Sequence, residues 1–365
     1  MIVIIGVAVA LVITTYFYMR QDKFGQKPEG ERLDAMKKSG HFKDGKFENF
    51  HFTPTLTEGY SMLGIAYDRF FKKHPRLNPK DVIPSETTDI QNLSPDQNVL
   101  IWFGHSSYFI QNEGKRILVD PVFSGNASPV PGSVTAFPGA NNYGVSELPE
   151  IDYLFISHDH YDHLDYETIV ALKNKVGKVL CGLGVGSHFE KWGYSADQII
   201  EGDWYDEVSL APGLKAHFTP TRHFSGRGFV RNNTLWTSYV LEFSNRKIYI
   251  GGDSGYDTHF ADIGKKFGPI DFAILENGQY NKAWEAIHML PEQTLMAAND
   301  LGAKRVFPVH SSKFVLALHP WDEPLSEVSR LNESYNFPLV TPKIGQVVRL
   351  DDPDQKFEKW WEAVK

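Results

Sequence analysis

The chain has 365 residues, 42% of them hydrophobic and 22% charged, with 45 acidic against 37 basic side chains and a formal net charge of −8. That length and apolar fraction suit one large globular unit with a substantial core. The acidic balance, with no Lys/Arg-rich block, argues against nucleic acid as a partner. One cysteine, Cys181, excludes an internal disulfide framework, and after Val179-Leu180 it reads as a buried strand thiol.

In chain order, Ile2 to Met19 carries no charge and is closed by Arg20, Asp22 and Lys23. Helix over that stretch would reach about 27 Å, close to the hydrocarbon thickness of a bilayer, with Tyr16 and Tyr18 at the interface. The rival is a cleaved signal peptide, but a basic n-region and a small-residue cleavage site are missing. The expectation is an uncleaved single-pass anchor (residues 1–20). Arg20, Lys23 and Lys27 all follow the span, which would place the catalytic part on the cytoplasmic side. Residues 21–95 read as an irregular arm packed on the main unit, with one short helix over 61–73 whose Met62, Ile65, Phe70 and Phe71 need a cover. A lip over an active site is the functional alternative.

From residue 96 onward strands and helices alternate. Apolar runs predict strands at 99–103, 107–111, 117–120, 153–157, 179–181, 198–200, 214–219, 238–243, 247–251, 272–275 and 305–309. Helices are expected at 166–175, 186–192, 260–267 and 291–301. The pattern of elements alone supports an α/β class. Directly after the run Ile151-Asp152-Tyr153-Leu154-Phe155-Ile156 comes Ser157-His158-Asp159-His160-Tyr161-Asp162-His163. Three imidazoles and two carboxylates in seven residues are the usual donors for zinc and similar divalent metals. His158 and His160 alternate, so an extended segment aims both at one point. Asp162 and His163 follow where the chain must turn.

The spacing is that of the HxHxDH motif, and the chain resembles the metallo-β-lactamase superfamily. That resemblance implies three further ligands at later strand ends: His223 after Thr219-Pro220-Thr221-Arg222, Asp253 after Ile250-Gly251-Gly252, and His310 after Phe307-Pro308-Val309. Trp102-Phe103-Gly104-His105-Ser106-Ser107, Val119-Asp120-Pro121-Val122 and Ile287-His288-Met289-Leu290-Pro291 are similar to elements of one branch, the N-acylphosphatidylethanolamine-hydrolysing phospholipase D group and its bacterial relatives.

The resemblance implies a four-layer αβ/βα sandwich over residues 96–365, here preceded by the N-terminal transmembrane helix. It implies two zinc ions, one held by His158, His160 and His223, the other by Asp162, His163 and His310, with Asp253 bridging. Iron and manganese suit the same donors. A metal-bridging hydroxide would attack the phosphodiester of an N-acyl phospholipid and release phosphatidic acid and an N-acylethanolamine. His288 would touch the phosphate or the leaving group; Asp120 and His105 would orient ligand histidines from behind. Asp159 and Tyr161 read as spacers, either facing solvent or standing behind the ligands, and His319 as a surface residue. Tyr143, Phe229 and Trp284 are candidates for an acyl-chain groove.

A lactonase, or a hydrolase of a small soluble phosphodiester, is the alternative within the same fold. His160 and Asp253 argue against the diiron electron-transfer branch, which typically carries glutamate in place of the second histidine. The partners expected are a phospholipid or other phosphodiester substrate and a membrane reached through residues 2–19; a homodimer is one assembly open to the chain.

Overall fold

A computed structural model describes residues 2–365. The chain begins with α1 (Ile2–Tyr18), then α2 (Gly30–Met36), a two-residue hairpin of β1 (Phe42–Lys43) and β2 (Lys46–Phe47), and α3 (Met62–Phe71). The strand-rich part follows: β3 (Val99–Trp102), β4 (Tyr108–Asn112), β5 (Lys115–Val119), β6 (Ile151–Ile156), α4 (Tyr166–Leu172), β7 (Val176–Gly182), α5 (Gly186–Lys191) and β8 (Ile199–Gly202). The second half holds β9 (Glu207–Ala211), β10 (Leu214–Thr219), β11 (Ser238–Glu242), β12 (Lys247–Ile250), α6 (His259–Phe267), β13 (Phe272–Glu276), α7 (Pro291–Asp300), β14 (Val306–Val309), α8 (Glu323–Tyr335) and β15 (Val347–Arg349).

The strands form two large sheets. One has seven strands in the order β15-β3-β4-β5-β6-β7-β8, the other six in the order β14-β13-β12-β11-β10-β9. Side-chain alternation along each strand sorts residues between layers. Leu100, Trp102, Ile110 and Phe155 of the first sheet meet Phe218, Tyr239, Ile250 and Phe307 of the second in one central core. Their neighbours Ile101, Phe109, Leu154 and Ile156 point outward, under Ile169 and Leu172 of α4 and Phe189 of α5. On the other side Val240, Tyr249, Ala273 and Leu275 lie under Phe260 and Ile263 of α6 and Ala297 and Ala298 of α7. Helix, sheet, sheet, helix is the four-layer α/β sandwich the resemblance implied.

The N-terminal anchor is where the structure departs from that expectation. No helix among the described residues is long and apolar enough to cross a membrane. α1 is 17 residues long, about 25 Å at 1.5 Å per residue against a hydrocarbon core of about 30 Å. Its C-terminal end is tied back to the domain, with Tyr18 Oη donating to Pro129 O at 2.6 Å and Lys23 Nζ to the same carbonyl at 2.6 Å. The transmembrane helix and the membrane-anchored location read from composition are therefore not supported.

Before residue 96 the sequence reading missed α2 and the β1–β2 hairpin, and after it three more regular elements. β9 is an edge strand of mostly half-exposed residues, β15 has three residues, and α8 buries only Pro324, Leu325 and Val328 of its thirteen. None carries enough apolar periodicity to stand out.

Candidate metal centre

Parallel pairing of β5 with β6, in the register Leu118↔Leu154 and Val119↔Phe155, brings the ends of both strands together. Asp120 follows β5 in a left-handed conformation (φ 40°), with its carboxylate turned onto the segment that follows β6. Asp120 Oδ1 accepts from Ser157 N at 2.8 Å, and Oδ2 accepts from Ser157 Oγ at 2.6 Å and from His163 Nδ1 at 2.8 Å. With Nδ1 committed to Asp120, Nε2 is the ring nitrogen of His163 that faces inward. The turn is closed by His163 N and Leu164 N donating to His160 O at 3.1 and 2.8 Å.

His223 leaves β10, Asp253 leaves β12 and His310 directly follows β14, so one edge of both sheets supplies all the expected ligands. Asp253 gets there through Gly251-Gly252. A Cβ on Gly252 would meet Ser157 Cβ at 2.8 Å, and its φ of 61° is left-handed, so glycine is required on both counts. His310 N donates to His105 O at 3.0 Å and His105 N to Ser311 O at 2.9 Å, which locks the β3–β4 turn to the loop after β14.

Two groups of side chains form without Asp253, and two more, His158–His163–Asp253 and Asp253–Glu276–His288–His310, form through it. In the first, His158 Nε2 and His160 Nδ1 lie 2.8 Å apart and His223 Nε2 lies 3.3 Å from His160 Nδ1. His223 Nδ1–H donates to Ile287 O at 2.9 Å, leaving Nε2 as the inward lone pair. In the second, His105, Asp162, His163 and His310 converge within ligand range of one another. Asp253 stands between the groups: Oδ2 is 3.2 Å from His163 Nε2, 3.8 Å from His223 Nε2 and 3.9 Å from His158 Nε2, while Oδ1 is 2.9 Å from His310 Nδ1. His105 Nε2 donates to Asp162 Oδ2 at 2.9 Å, with its own Nδ1 buried and unpartnered.

Burial pushes the His158, His160 and His223 imidazoles down, His160 to about 4, so all three are neutral, the form that ligates metal. His163 goes the other way: burial opposes its charge, but Asp253 and Asp162 outweigh it and hold it up. Burial likewise opposes the charge on Asp162 and Asp253, yet the adjacent imidazoles hold both carboxyls well below their usual range. The fit to divalent metal is direct. His163 Nε2 and Asp253 Oδ1 are fully buried without a hydrogen-bond partner, and a cation between them satisfies both.

A cavity of about 260 Å³ opens over this centre, with His160, Asp162, Asp253, His288 and His310 at its floor. Leu56, Met62, Ile65, Trp284 and Leu316 make an apolar wall, and Arg231, stacked on the Phe224 ring at 4.7 Å, supplies a cation. His288 Nδ1–H donates to Glu276 Oε2 at 2.8 Å and lies 3.9 Å from Asp253 Oδ2. Burial opposes its charge, but the Glu276 carboxylate holds the imidazole up at about 8. The sequence reading passed over Glu276. Its signal was a carboxylate closing the otherwise apolar strand Phe272-Ala273-Ile274-Leu275.

Other expectations shift. Asp159 is buried and binds Gly226 N at 2.6 Å, Thr234 Oγ1 at 2.9 Å and His188 Nε2 at 3.3 Å, joining two ligand loops. Tyr161 Oη donates to Arg227 O at 2.8 Å. His319 is half-buried and accepts from Gln279 N at 2.9 Å, because its ring is held against Tyr280 and not left on the surface. Of the three groove candidates only Trp284 reaches the cavity. Tyr143 is buried against Phe103, and Phe229 is 83% exposed.

A family model described as a beta-lactamase superfamily domain matches residues 115–311, more than half of the chain and the whole expected ligand set. The chain belongs to the metallo-β-lactamase superfamily. It is a metal-dependent hydrolase of that superfamily. An uncharacterized protein of Mycobacterium tuberculosis is 36% identical over 88% of this chain and 87% of its own length. The N-acyl-phosphatidylethanolamine-hydrolyzing phospholipase D 1 of Caenorhabditis elegans is 25% identical over 76% of this chain and 85% of its own length. Among solved structures, the superfamily fold recurs in Igni18, a metallo hydrolase of Ignicoccus hospitalis, at 21% identity with a TM-score of 0.52, covering 69% of this chain and 97% of that one.

Proposed function

We propose that this hydrolase is a two-metal phosphodiesterase acting on an N-acyl phospholipid, giving phosphatidic acid and an N-acylethanolamine. The observation that carries the reading is Asp253, one carboxylate within reach of ligand side chains from both groups. In this reading His158, His160 and His223 hold one metal, Asp162, His163 and His310 the other, and Asp253 serves both. The donor set suits zinc, and iron or manganese by the same chemistry. When bound, the two metals supply Lewis acidity at the phosphoryl oxygens and lower the pKa of water toward neutrality.

The chain's own residues do the rest. Asp120 and the Ile287 carbonyl each hold a ligand histidine in one tautomer. His288 has its Nδ1 committed to Glu276, so Nε2 is the nitrogen left for the phosphoryl group or the departing oxygen. Water adds to phosphorus and loses a proton to solvent as the P–O bond to the ethanolamine oxygen breaks; that oxygen needs a proton, which His288 is placed to give and then to recover from solvent. The apolar wall with Arg231 at its margin supports an amphiphilic substrate with an anionic centre. The worm phospholipase D acts on a molecule of that kind, as its name states.

The test is phosphatidic acid release from an N-acylphosphatidylethanolamine in mixed micelles, by zinc-loaded and by chelator-stripped protein. Turnover that disappears with the chelator and returns with zinc is the expected result. No turnover from protein holding two metals would refute the phospholipid assignment and turn the search to lactones and small phosphodiesters.

A further inference from the structure

His223 is the ligand least supported by regular structure. His158 and His160 ride on the end of β6 and His310 directly follows β14, whereas His223 stands on a loop running through residues 220–237 without ladder partners. Its main chain is held from far away in sequence. Asn49 Nδ2 donates to His223 O at 2.8 Å, and His223 N donates to Asn49 Oδ1 at 3.2 Å. One side-chain amide thus satisfies both polar groups of the ligand's own backbone, as a neighbouring strand would. Trp236 Nε1 also donates to Asn49 Oδ1 at 3.0 Å, which fixes which way the amide faces.

The same N-terminal segment grips this loop at three more places. Arg222 Nη2 donates to Phe52 O at 3.0 Å. Arg227 Nε and Nη2 both donate to Lys23 O, at 3.0 and 2.7 Å. Phe47 N donates to Asn232 O at 2.9 Å, and Asn232 Nδ2 returns a bond to Phe47 O at 3.2 Å. Two of these anchors flank His223 within the loop, and Asn49 holds the ligand residue itself.

We propose that the segment before β3 is a working part of the metal centre, with Asn49 a positioning residue that sets His223 toward the His158–His160 metal. The proposal rests on the two-metal reading above. Its distinctive consequence is asymmetry. The hydrogen bonds of Asn49 run to His223 and Trp236 and not to the Asp162–His163–His310 group, so its loss weakens one metal and spares the other. Alanine leaves His223 N–H and C=O without a partner. Aspartate keeps the acceptor for His223 N and Trp236 but sets its second oxygen against His223 O, and so falls between asparagine and alanine.

The experiment is competition of full-length protein against a chromophoric chelator for zinc, counting equivalents and their affinities, with the melting curve of the stripped protein alongside. Wild type should hold two equivalents. In Asn49→Ala one of them should weaken by roughly 10- to 100-fold, the usual effect of losing an outer-shell partner, and the other should stay as in wild type. Asn49→Asp, nearly isosteric, gives a folded protein for the same comparison if the alanine variant does not fold, and should weaken that one equivalent less. Two unchanged equivalents in both variants would overturn the clamp alone. Equal weakening of both, with a lowered melting point of the stripped protein, would also overturn it, as a merely structural role. Fewer than two equivalents in wild type would instead overturn the two-metal reading on which the clamp rests.

Discussion

At the residue scale the pairing of His288 with Glu276 decides how the leaving group could be served. Glu276 is buried, accepts Met289 N at 2.8 Å through Oε1 and His288 Nδ1 through Oε2, and so cannot drift away from the imidazole. An imidazole held there matters only when the departing oxygen is a poor leaving group. His288→Ala should therefore lower kcat on an alkyl phosphodiester by about 10²- to 10⁴-fold. On a nitrophenyl diester, whose oxygen departs without a proton, it should lower kcat far less. Equal losses on both substrates would show that His288 binds the phosphoryl group and does not serve the leaving oxygen.

Of the candidate ligands, His158, His160, Asp162 and His163 were legible in their own pattern, imidazoles and carboxylates crowded just after the apolar strand β6. His223, Asp253 and His310 came only through the family resemblance, since a lone histidine or aspartate past a strand has no motif of its own. Glu276 was harder, since a single carboxylate closing a strand has no motif around it. Asn49 could not be read at all. Its importance lies in a hydrogen bond to a residue 174 positions away, and no local pattern encodes that. The expected membrane span failed for a related reason. Composition gives the apolar run but not where the helix stops, and the bonds of Tyr18 and Lys23 to Pro129 are long-range facts too.

Among the elements, α3 brings exposed apolar side chains to the cavity over the metal centre. Ser61 caps it by accepting from Gly64 N at 3.1 Å, so its start is well defined. None of its ten residues is buried. Leu63 and Phe70 are 85% and 76% exposed, while Met62 and Ile65 reach the cavity wall. The sequence reading named Met62, Ile65, Phe70 and Phe71 as needing a cover, by packing on the main unit or as a lip over an active site, and Met62, Phe70 and Phe71 stay more than half exposed. A hydrocarbon chain leaving the metal centre along Met62 and Ile65 would be stripped of water at about 0.8 kcal/mol per CH₂. The double variant Met62→Ser/Ile65→Ser should then reduce kcat/KM by roughly tenfold or more for long-acyl substrates, and by clearly less for short-acyl ones. The measurement is a chain-length series on both proteins, and parallel losses at all lengths would remove α3 from substrate binding.

For the whole molecule, the two sheets must keep their edges in register, or ligands drawn from both would not meet. Lys313 is a fastener at that edge. It lies just past β14 of the second sheet, fully buried, and its Nζ donates to Phe103 O at 3.0 Å and Val122 O at 2.8 Å, which follow strands β3 and β5 of the first. Phe137 N donates back to Lys313 O at 2.8 Å. Burial pushes this amine down to about 7, far below the usual lysine range, with Asp165 opposing only weakly. A neutral amine still has two N–H groups for its two carbonyls, so the fastener works best uncharged. Between pH 7 and about 10.4 the unfolded chain binds a proton here that the folded chain does not. Stability from this group therefore rises with pH across that window and levels off on either side, at most about 1.4 kcal/mol per pH unit. Lys313→Met removes the titrating group while keeping an unbranched apolar stem. Urea unfolding of the zinc-loaded pair at pH 7, 8, 9 and 10 should show wild type gaining on the variant at each step. Parallel curves would mean that the buried amine carries no such linkage and that the sheets are held together by their shared core alone.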